Sequence, residues 1–388
     1  MFLKRSLPAS IALAAVVFLR PVSSAAQFSP RLSLFSDKTG SPAQVEGNKV
    51  QIIEDAGVFY DELQRSIRNA TDFILMEYYT FRDDSISTVI LDALAQKARQ
   101  GVRTCLILDR FGCSEHFEEK GNRLRMSPFR RGYLQSYLDS GVDIAFYNND
   151  VPLPRDHRKL TLVDGKVAFI GGMNITDLYL NGIGGVGKFW DMSIKIEGPA
   201  VSSFNFGFLR MWNSCGDRPL GVSFPEAPAA CGDVPLILLE TQGSGIHPNP
   251  EELYSELFAM AQHSIRFITG YFTPTRAIVN SLRDAAQRGV DIQMLMGSST
   301  DMPPAFDKVM MQQALDLARE NCLTLFIQEG GFHHEKAICI DGHLILIGSH
   351  NLDRLSIKTN HEISVLMDSP DVAGDFNAYF DAHAHPDI

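Results

Sequence analysis

A histidine-lysine segment that runs into an Asp-Gly turn occurs twice in this chain, and it constrains the fold more than any other feature. The second copy spans residues 334–351, with apolar runs on both sides of Asp341-Gly342. Asp-Gly between apolar segments is the strongest short-range signal for a β-hairpin. We expect a two-residue loop, in which residue 340 faces 343 and residue 334 faces 349. This register brings four polar side chains together at the open end of the hairpin: His334, Lys336, Ser349 and Asn351.

The first copy spans residues 157–174 and has the same spacing. Counted from the histidine, a lysine follows at two residues, Asp-Gly at seven and eight, a small residue at fifteen and an asparagine at seventeen. Agreement at these offsets argues against a chance surface hairpin. The two histidines lie 177 residues apart, so the internal repeat is one domain long. The corresponding polar residues are His157, Lys159, Asp164 and Asn174.

Helix-like and strand-like segments alternate in the same order in both halves of the 388-residue chain. This alternation predicts an α/β fold in which helices cover a largely buried sheet. The Pro/Gly-rich stretch 216–233 is the expected boundary between the halves. We therefore predict four parts: a signal peptide (1–26), a linker (27–48), an N-terminal half (49–220) and a C-terminal half (234–388).

The first residues are typical of a signal peptide that directs export to the periplasm or the outside of the cell. Lys4 and Arg5 precede the apolar run Ile11 to Leu19, and Ser24-Ala25-Ala26 offers small residues for cleavage. Two alternatives remain: a membrane anchor, although the run is short, and a mitochondrial presequence, since no acidic residue precedes Asp37.

The chain is acidic, with a formal net charge of -11. Nucleic-acid binding draws much of its affinity from basic residues that neutralise phosphates, so this charge argues against a nucleic-acid partner. A local basic segment has two interpretations, a solvated helix face or a contact with anionic lipid head groups. Its residues are Arg123, Arg125, Arg130 and Arg131.

Six cysteines are present and no Cys-x-x-Cys motif occurs, so we predict no metal site and no cofactor. Cys215 and Cys231 flank the Pro/Gly-rich stretch, and in an exported protein they could form a disulfide.

The paired hairpins suit chemistry on a phosphodiester. Two lysines and two asparagines could cradle the phosphate without a metal. One histidine can attack phosphorus while the other protonates the leaving alcohol, and their roles then reverse. Each imidazole needs a carboxylate behind it. Asp191 and Glu362, which follow the hairpins, fit this role, and we expect Glu362 to support His334. Asp164 and Asp341 lie in the turns and are first of all turn residues.

These motifs resemble the two signature motifs of the phospholipase D superfamily, and the relatives they look most like are bacterial cardiolipin synthases. The resemblance extends from about Tyr60 to the C-terminus. It implies two pseudo-symmetric α/β/α sandwich halves with the active site at their interface. It also implies phosphatidyl transfer through a phosphohistidine on His157. By resemblance the catalytic residues are His157, Lys159, Asp164, His334, Lys336 and Asp341, and the substrate-binding residues are Asn174, Ser349 and Asn351.

The resemblance leaves the acceptor open, since either a second phosphatidylglycerol or water fits the same chemistry. Trp190-Asp191 lacks the arginine that usually stands between such residues, and no pair of N-terminal membrane helices is present. We expect a phospholipid substrate at a membrane surface and make no prediction of oligomeric state. The rival functions are phospholipase D hydrolysis, nuclease activity and an inactive scaffold.

Overall fold

The computed structural model describes residues 29–36, 44–113, 132–147, 153–182, 187–216, 218–242 and 249–384. The signal-peptide prediction (1–26) and the basic segment with Arg123, Arg125, Arg130 and Arg131 lie outside these residues. The strands are β1 Val45–Ile53, β2 Phe73–Tyr78, β3 Arg103–Asp109, β4 Asp143–Tyr147, β5 Lys159–Val163, β6 Val167–Gly171, β7 Lys188–Trp190, β8 Ser193–Glu197, β9 Val234–Gln242, β10 Ser264–Thr269, β11 Phe272–Thr273, β12 Asp291–Gly297, β13 Thr324–Gln328, β14 Gly331–His333, β15 Lys336–Ile340, β16 Leu344–Gly348, β17 Leu352–Asp353 and β18 His361–Asp368.

The helices form where the sequence supplies an apolar stripe and a capping residue. For example, the Asp84 carboxylate accepts a hydrogen bond from Ser87 N at the start of α3, and Thr275 caps α8 in the same way. The helices are α1 Pro30–Ser36, α2 Ala56–Asn69, α3 Ser85–Arg99, α4 Gln135–Asp139, α5 Leu178–Asn181, α6 Val201–Ser214, α7 Pro250–Met260, α8 Arg276–Gln287, α9 Pro304–Arg319, α10 Arg354–Lys358 and α11 Pro370–His383. In the described part of the chain, every helix is too short or too polar to cross a bilayer.

Fourteen strands form one sheet in the order β13-β12-β10-β15-β16-β18-β9-β1-β8-β6-β5-β2-β3-β4. Read from either outer edge, the two groups of seven strands follow the same order of elements. The halves join where β1 and β9 pair antiparallel. In each half the three outer strands are parallel and the inner strands are antiparallel. The predicted α/β fold with two pseudo-symmetric halves is therefore confirmed.

Three apolar cores hold the layers together. One core combines residues of both halves, including Leu160, Ile170, Ile345 and Ile363, with side chains of α6 and α11. A second lies under α2 and α3, and a third under α7, α8 and α9. Because the shared core needs both repeats, burial of apolar surface itself fixes one half against the other.

The predicted linker (27–48) is wrong in part. Helix α1 lies within it, with Leu32 and Phe35 fully buried, and β1 begins at Val45. A seven-residue helix is too short to show a clear period, which explains the error. Between α6 and β9, the described residues 218–233 form neither helix nor strand. The division into 49–220 and 234–388 stays a prediction. Cys215 and Cys231, proposed as a disulfide, are free thiols.

The expected two-residue loop of each hairpin is also wrong. Residue 340 pairs with Leu344, and Val163 pairs with Val167, so three residues lie between the strands. The hydrogen bond that closes the turn nevertheless encloses two residues, 341 and 342, because His343 N donates to the Ile340 carbonyl at 3.0 Å. Asp341 and Gly342 take left-handed conformations, with φ of 52° and 67°. The following residue stays outside the ladder, and the register shifts by one.

Candidate active site

His157 lies just before β5 and is held by the other half of the molecule. Its Nδ1 is 2.9 Å from Glu362 Oε2 on β18. Its backbone N–H donates to the carbonyl of His361 at 2.9 Å. Both the ring and the main chain of this histidine are thus fixed by the C-terminal half. The prediction that Glu362 supports His334 is wrong.

His334 has the reciprocal arrangement. Its Nδ1 is 2.6 Å from Asp191 Oδ2, and its backbone N–H donates to the Trp190 carbonyl at 2.8 Å. Asp191 belongs to the N-terminal half, so the halves exchange carboxylates. Proximity in sequence favours pairing within a half, because Glu362 follows the second hairpin. The internal repeat was the sequence signal that could have revealed this exchange, because a two-fold arrangement of the halves lets each acid face the opposite histidine.

The two carboxyl groups differ in their ionisation. Burial alone would raise the pKa of Glu362, but His157 and neighbouring positive charges lower it to about 2. Burial raises the pKa of Asp191 to about 8, and Lys336 only partly opposes this. Burial also lowers the pKa of both histidines, and Lys336 and Lys159 lower that of His334 further. The His157 pair is therefore anionic at neutral pH, whereas the His334 pair retains one more proton.

This difference decides which ring nitrogen carries a proton. His157 Nδ1 donates to the ionised Glu362, which leaves a lone pair on Nε2. In the other pair, the raised pKa of Asp191 favours a protonated carboxyl that donates to His334 Nδ1, an arrangement that leaves the ring's own proton on Nε2. These two arrangements suit one imidazole to attack and the other to donate a proton.

Both lysines are buried beside the histidines. Lys159 Nζ donates to the His157 carbonyl at 2.6 Å, and Lys336 Nζ donates to the His334 carbonyl. Burial lowers the pKa of Lys159 to about 7 and also lowers that of Lys336. The ring of Tyr79 packs on this side, with its centroid 4.7 Å from that of His157 and 5.2 Å from Lys159 Nζ. Sequence reasoning did not single out Tyr79.

The three residues predicted to bind substrate have different environments. Asn174 Oδ1 accepts from Thr80 N at 3.0 Å and its Nδ2 donates to Tyr179 Oη at 3.1 Å, so both ends are engaged. Ser349 donates to Glu362 Oε2 at 2.5 Å, which corrects its assignment as a phosphate donor. Asn351 is buried, and its Oδ1 has no hydrogen-bond partner among the described residues. Its unpartnered atom is therefore a hydrogen-bond acceptor, which could take a hydrogen bond from a hydroxyl of a substrate but not from a phosphate oxygen.

Asp164 and Asp341, which the resemblance placed among the catalytic residues, instead hold the turns. The Asp164 carboxylate accepts backbone N–H bonds from Thr71, Asp72 and Phe73 at 2.8–3.0 Å. Asp341 accepts three N–H bonds from residues 262–264. Burial would raise the pKa of each carboxyl, but these hydrogen bonds lower it. Both acids anchor the start of a neighbouring strand, β2 or β10, at the end of the hairpin away from the histidines.

A buried ion cluster links the halves behind the site. Arg158 is fully buried, and its Nη1 lies 3.5 Å from Glu77 Oε1 and 3.4 Å from Glu240 Oε1 of the other half. It also donates to the Thr241 carbonyl at 3.0 Å. Within the described residues, no group of three or more His, Cys, Asp or Glu side chains is arranged to hold a metal ion.

Comparison with known proteins agrees with this geometry. The family model described as "Cardiolipin synthase, PLD-like domain" matches residues 63–212 and 254–384. Cardiolipin synthase 1 of Staphylococcus aureus (strain MRSA252) is 28% identical over 349 residues, covering 87% of this chain and 67% of that protein. Cardiolipin synthase 1 of Staphylococcus epidermidis is 29% identical over 347 residues, covering 87% of this chain and 68% of that protein. The chain spans about two thirds of the length of these relatives.

Two solved structures share the fold. Phosphatidylserine synthase of Haemophilus influenzae Rd KW20 superposes with a TM-score of 0.68 at 15% identity, covering 87% of this chain and 86% of that chain. Polyphosphate kinase of Porphyromonas gingivalis gives a TM-score of 0.56 at 13% identity, covering 86% of this chain and 46% of that chain.

Proposed function

Because the chain belongs to the cardiolipin synthase, PLD-like domain family, we propose that it transfers a phosphatidyl group from one glycerophospholipid to an alcohol. The proposed reaction converts two phosphatidylglycerol molecules into cardiolipin and glycerol. The observation that carries it is the pair of histidine–carboxyl contacts, 2.9 Å and 2.6 Å, in which each histidine meets an acid of the opposite half.

In the first step, His157 Nε2 attacks the phosphorus of the bound phospholipid. The P–O bond to the head-group glycerol breaks, and the leaving oxygen takes the proton of His334 Nε2. Glu362 stabilises the positive charge that develops on His157. We expect Lys159 and Lys336 to hold the non-bridging oxygens, with the Asn351 Nδ2 amide as a further donor. The product is a phosphatidyl-histidine and free glycerol.

In the second step, the hydroxyl of an acceptor attacks the same phosphorus. Its proton passes to His334, the P–N bond breaks, and its electron pair returns to the His157 ring. With a phosphatidylglycerol acceptor the product is cardiolipin, and with water it is phosphatidic acid. The same groups serve both steps, so the acceptor alone decides the product.

The product assay tests the reaction. Purified protein is given vesicles of phosphatidylglycerol, and lipids and released glycerol are measured. Cardiolipin and glycerol in equal amounts support the proposal. Phosphatidic acid as the main product would identify a hydrolase, and failure to turn over any phospholipid would reject the proposed function.

Trapping the intermediate tests the assignment of the nucleophile. Rapid quenching with labelled phosphatidylglycerol is expected to leave label on His157, in a form that acid releases and alkali does not. Label on His334 would reverse the two roles, and label on neither histidine would reject the covalent mechanism.

We also propose that the protein is exported and acts at a membrane surface. The charge and hydropathy pattern of residues 1–26 supports export, and the lipid substrate supports the surface location. N-terminal sequencing of protein isolated from the cell envelope or the medium tests this. A start near Gln27 is expected, whereas a retained Met1 would favour an anchor.

A further inference from the structure

Arg155 lies two residues before His157 on the same extended segment. The segment pairs with the other half, since His361 N donates to the Arg155 carbonyl at 2.8 Å and His157 N to the His361 carbonyl at 2.9 Å. Side chains alternate along extended backbone, so Arg155, His157 and Lys159 share one side of the segment. Along this side of the segment, Arg155 is the next residue beyond the attacking histidine, and two residues of extended chain separate their backbones by roughly 6.5 Å.

The Arg155 guanidinium is buried without full compensation of its charge. The residue is 7% exposed, and its Nε has no hydrogen-bond partner among the described residues. Its ion pair with Asp109 is long, with Nη1 3.9 Å from Asp109 Oδ1. The Asp109 carboxylate already accepts N–H bonds from Phe111, Gly112 and Asp156. The guanidinium carbon lies 4.2 Å from the centroid of the Phe111 ring.

This environment suits a bound anion. A buried charge without a close partner costs several kcal/mol of folding free energy, and an anionic ligand would offset that cost. Arginine binds phosphate oxygens with two parallel N–H bonds, and a flat aromatic ring beneath the guanidinium fixes its plane. On the proposed mechanism the lysines hold the phosphate under attack, so Arg155 is free to bind a second anion beside it.

We propose that Arg155 binds the phosphate of the acceptor and makes the enzyme select an anionic alcohol over water or a neutral alcohol. This inference rests on the proposed phosphatidyl transfer. In a phosphatidylglycerol acceptor, three glycerol carbons separate the attacking hydroxyl from the lipid's own phosphate. The acceptor's phosphate then lies beside the reacting phosphorus, in the same way that Arg155 lies beside His157.

The wild-type protein provides the first test. With phosphatidylglycerol as donor, glycerol 3-phosphate and isotopically labelled glycerol are supplied together at equal concentration as soluble acceptors. Because an added charge-assisted hydrogen bond contributes about 1.5–3 kcal/mol, we expect a preference of about tenfold or more for glycerol 3-phosphate. Equal use of the two alcohols would overturn the proposal, whatever the variants show.

Three variants provide the second test. Arg155→Gln is expected to reduce the preference at least fivefold towards equal use, with Arg155→Lys in between, because lysine offers a charge without the planar fork. Arg354→Gln, which removes an exposed positive charge, should leave the preference unchanged. An Arg155→Gln protein that loses transfer to both acceptors equally would show a structural role and contradict the proposal. A wild-type protein that transfers to neither acceptor would reject the proposed function itself, and this inference with it.

Discussion

The two histidines differ in the carboxyl group behind them, and this difference gives them separate roles. Glu362 is ionised by its contact with His157, whereas burial keeps a proton on the pair formed by Asp191 and His334. On the proposed mechanism, two nearly symmetric hairpins thus provide one nucleophile and one acid. The asymmetry arises from local burial and charge and not from the histidine, lysine, aspartate and asparagine of the motif, which are the same in both copies.

A change of leaving group distinguishes these roles. Glu362→Gln and Asp191→Asn should each lower turnover of phosphatidylglycerol, on the order of 10²–10⁴-fold. With a phosphatidyl ester of p-nitrophenol, whose leaving group needs no proton, Asp191→Asn should recover most of its activity. Glu362→Gln should stay slow, because the attacking histidine is still impaired. Burst kinetics of nitrophenolate release measure both. Recovery by Glu362→Gln alone would assign His334 as the nucleophile.

The pH dependence of substrate binding should follow Lys159. Burial lowers its pKa to about 7, so the free enzyme loses this positive charge as the pH rises through 7. We expect KM for the anionic lipid to increase between pH 7 and 9. Lys159→Arg, which keeps its charge throughout this range, should remove that part of the increase even if kcat falls. A wild-type KM that is constant from pH 6 to 9 would contradict this assignment.

At the scale of elements, we expect the Asp-Gly turns to contribute stability and not chemistry. Asp164→Ala removes the acceptor of three backbone N–H bonds and should lower the free energy of unfolding by about 2–4 kcal/mol. The pKa of this carboxyl is lowered by folding, so its contribution is complete above the unfolded pKa of about 3.9 and is lost as the pH falls further. Urea unfolding measures the change.

The matched control is Asp139→Ala, an exposed aspartate whose carboxylate accepts from the Gln135 side chain. It should change stability by less than about 0.5 kcal/mol. Folded Asp164→Ala protein should retain its activity within about twofold. Loss of activity in a fully folded Asp164→Ala protein would return this residue to the chemistry.

The sequence was sufficient to predict the hairpins, most helices and the repeat, because their periodicity is local. It did not predict β1 and β9, the strands that join the halves. Their residue pattern can be interpreted only once the two strands are known to pair with each other. The register error at Ile340 has a similar cause. Asp341 binds the N–H groups of residues 262–264, a contact between distant segments that no turn rule includes.

At the scale of the whole molecule, the site is shared between halves of one chain. His157 depends on Glu362 and His334 on Asp191, and both contacts are intramolecular. The pairing of carboxylates with histidines could not be predicted, because it depends on how the halves dock and not on distance along the chain. The contact between the buried Arg158 and the partly buried Glu240 of the other half belongs to the same docking.

Mixing two inactive variants tests this intramolecular site. His157→Asn and His334→Asn proteins, combined or refolded together, should stay as inactive as each alone, because neither chain contains both histidines. The wild-type protein refolded under the same conditions is the control. Recovery of activity in the mixture would show that two copies exchange halves to build a site.

The exchange of carboxylates also bears on the protein's synthesis. The N-terminal half leaves the ribosome first, before the strand that carries Glu362 has been made. At that stage the chain contains His157 but not Glu362. The imidazole lacks the carboxylate that binds Nδ1 and leaves the lone pair on Nε2. The proposed mechanism requires this contact, so we expect the chain to become active only when β18, which carries Glu362, is in place.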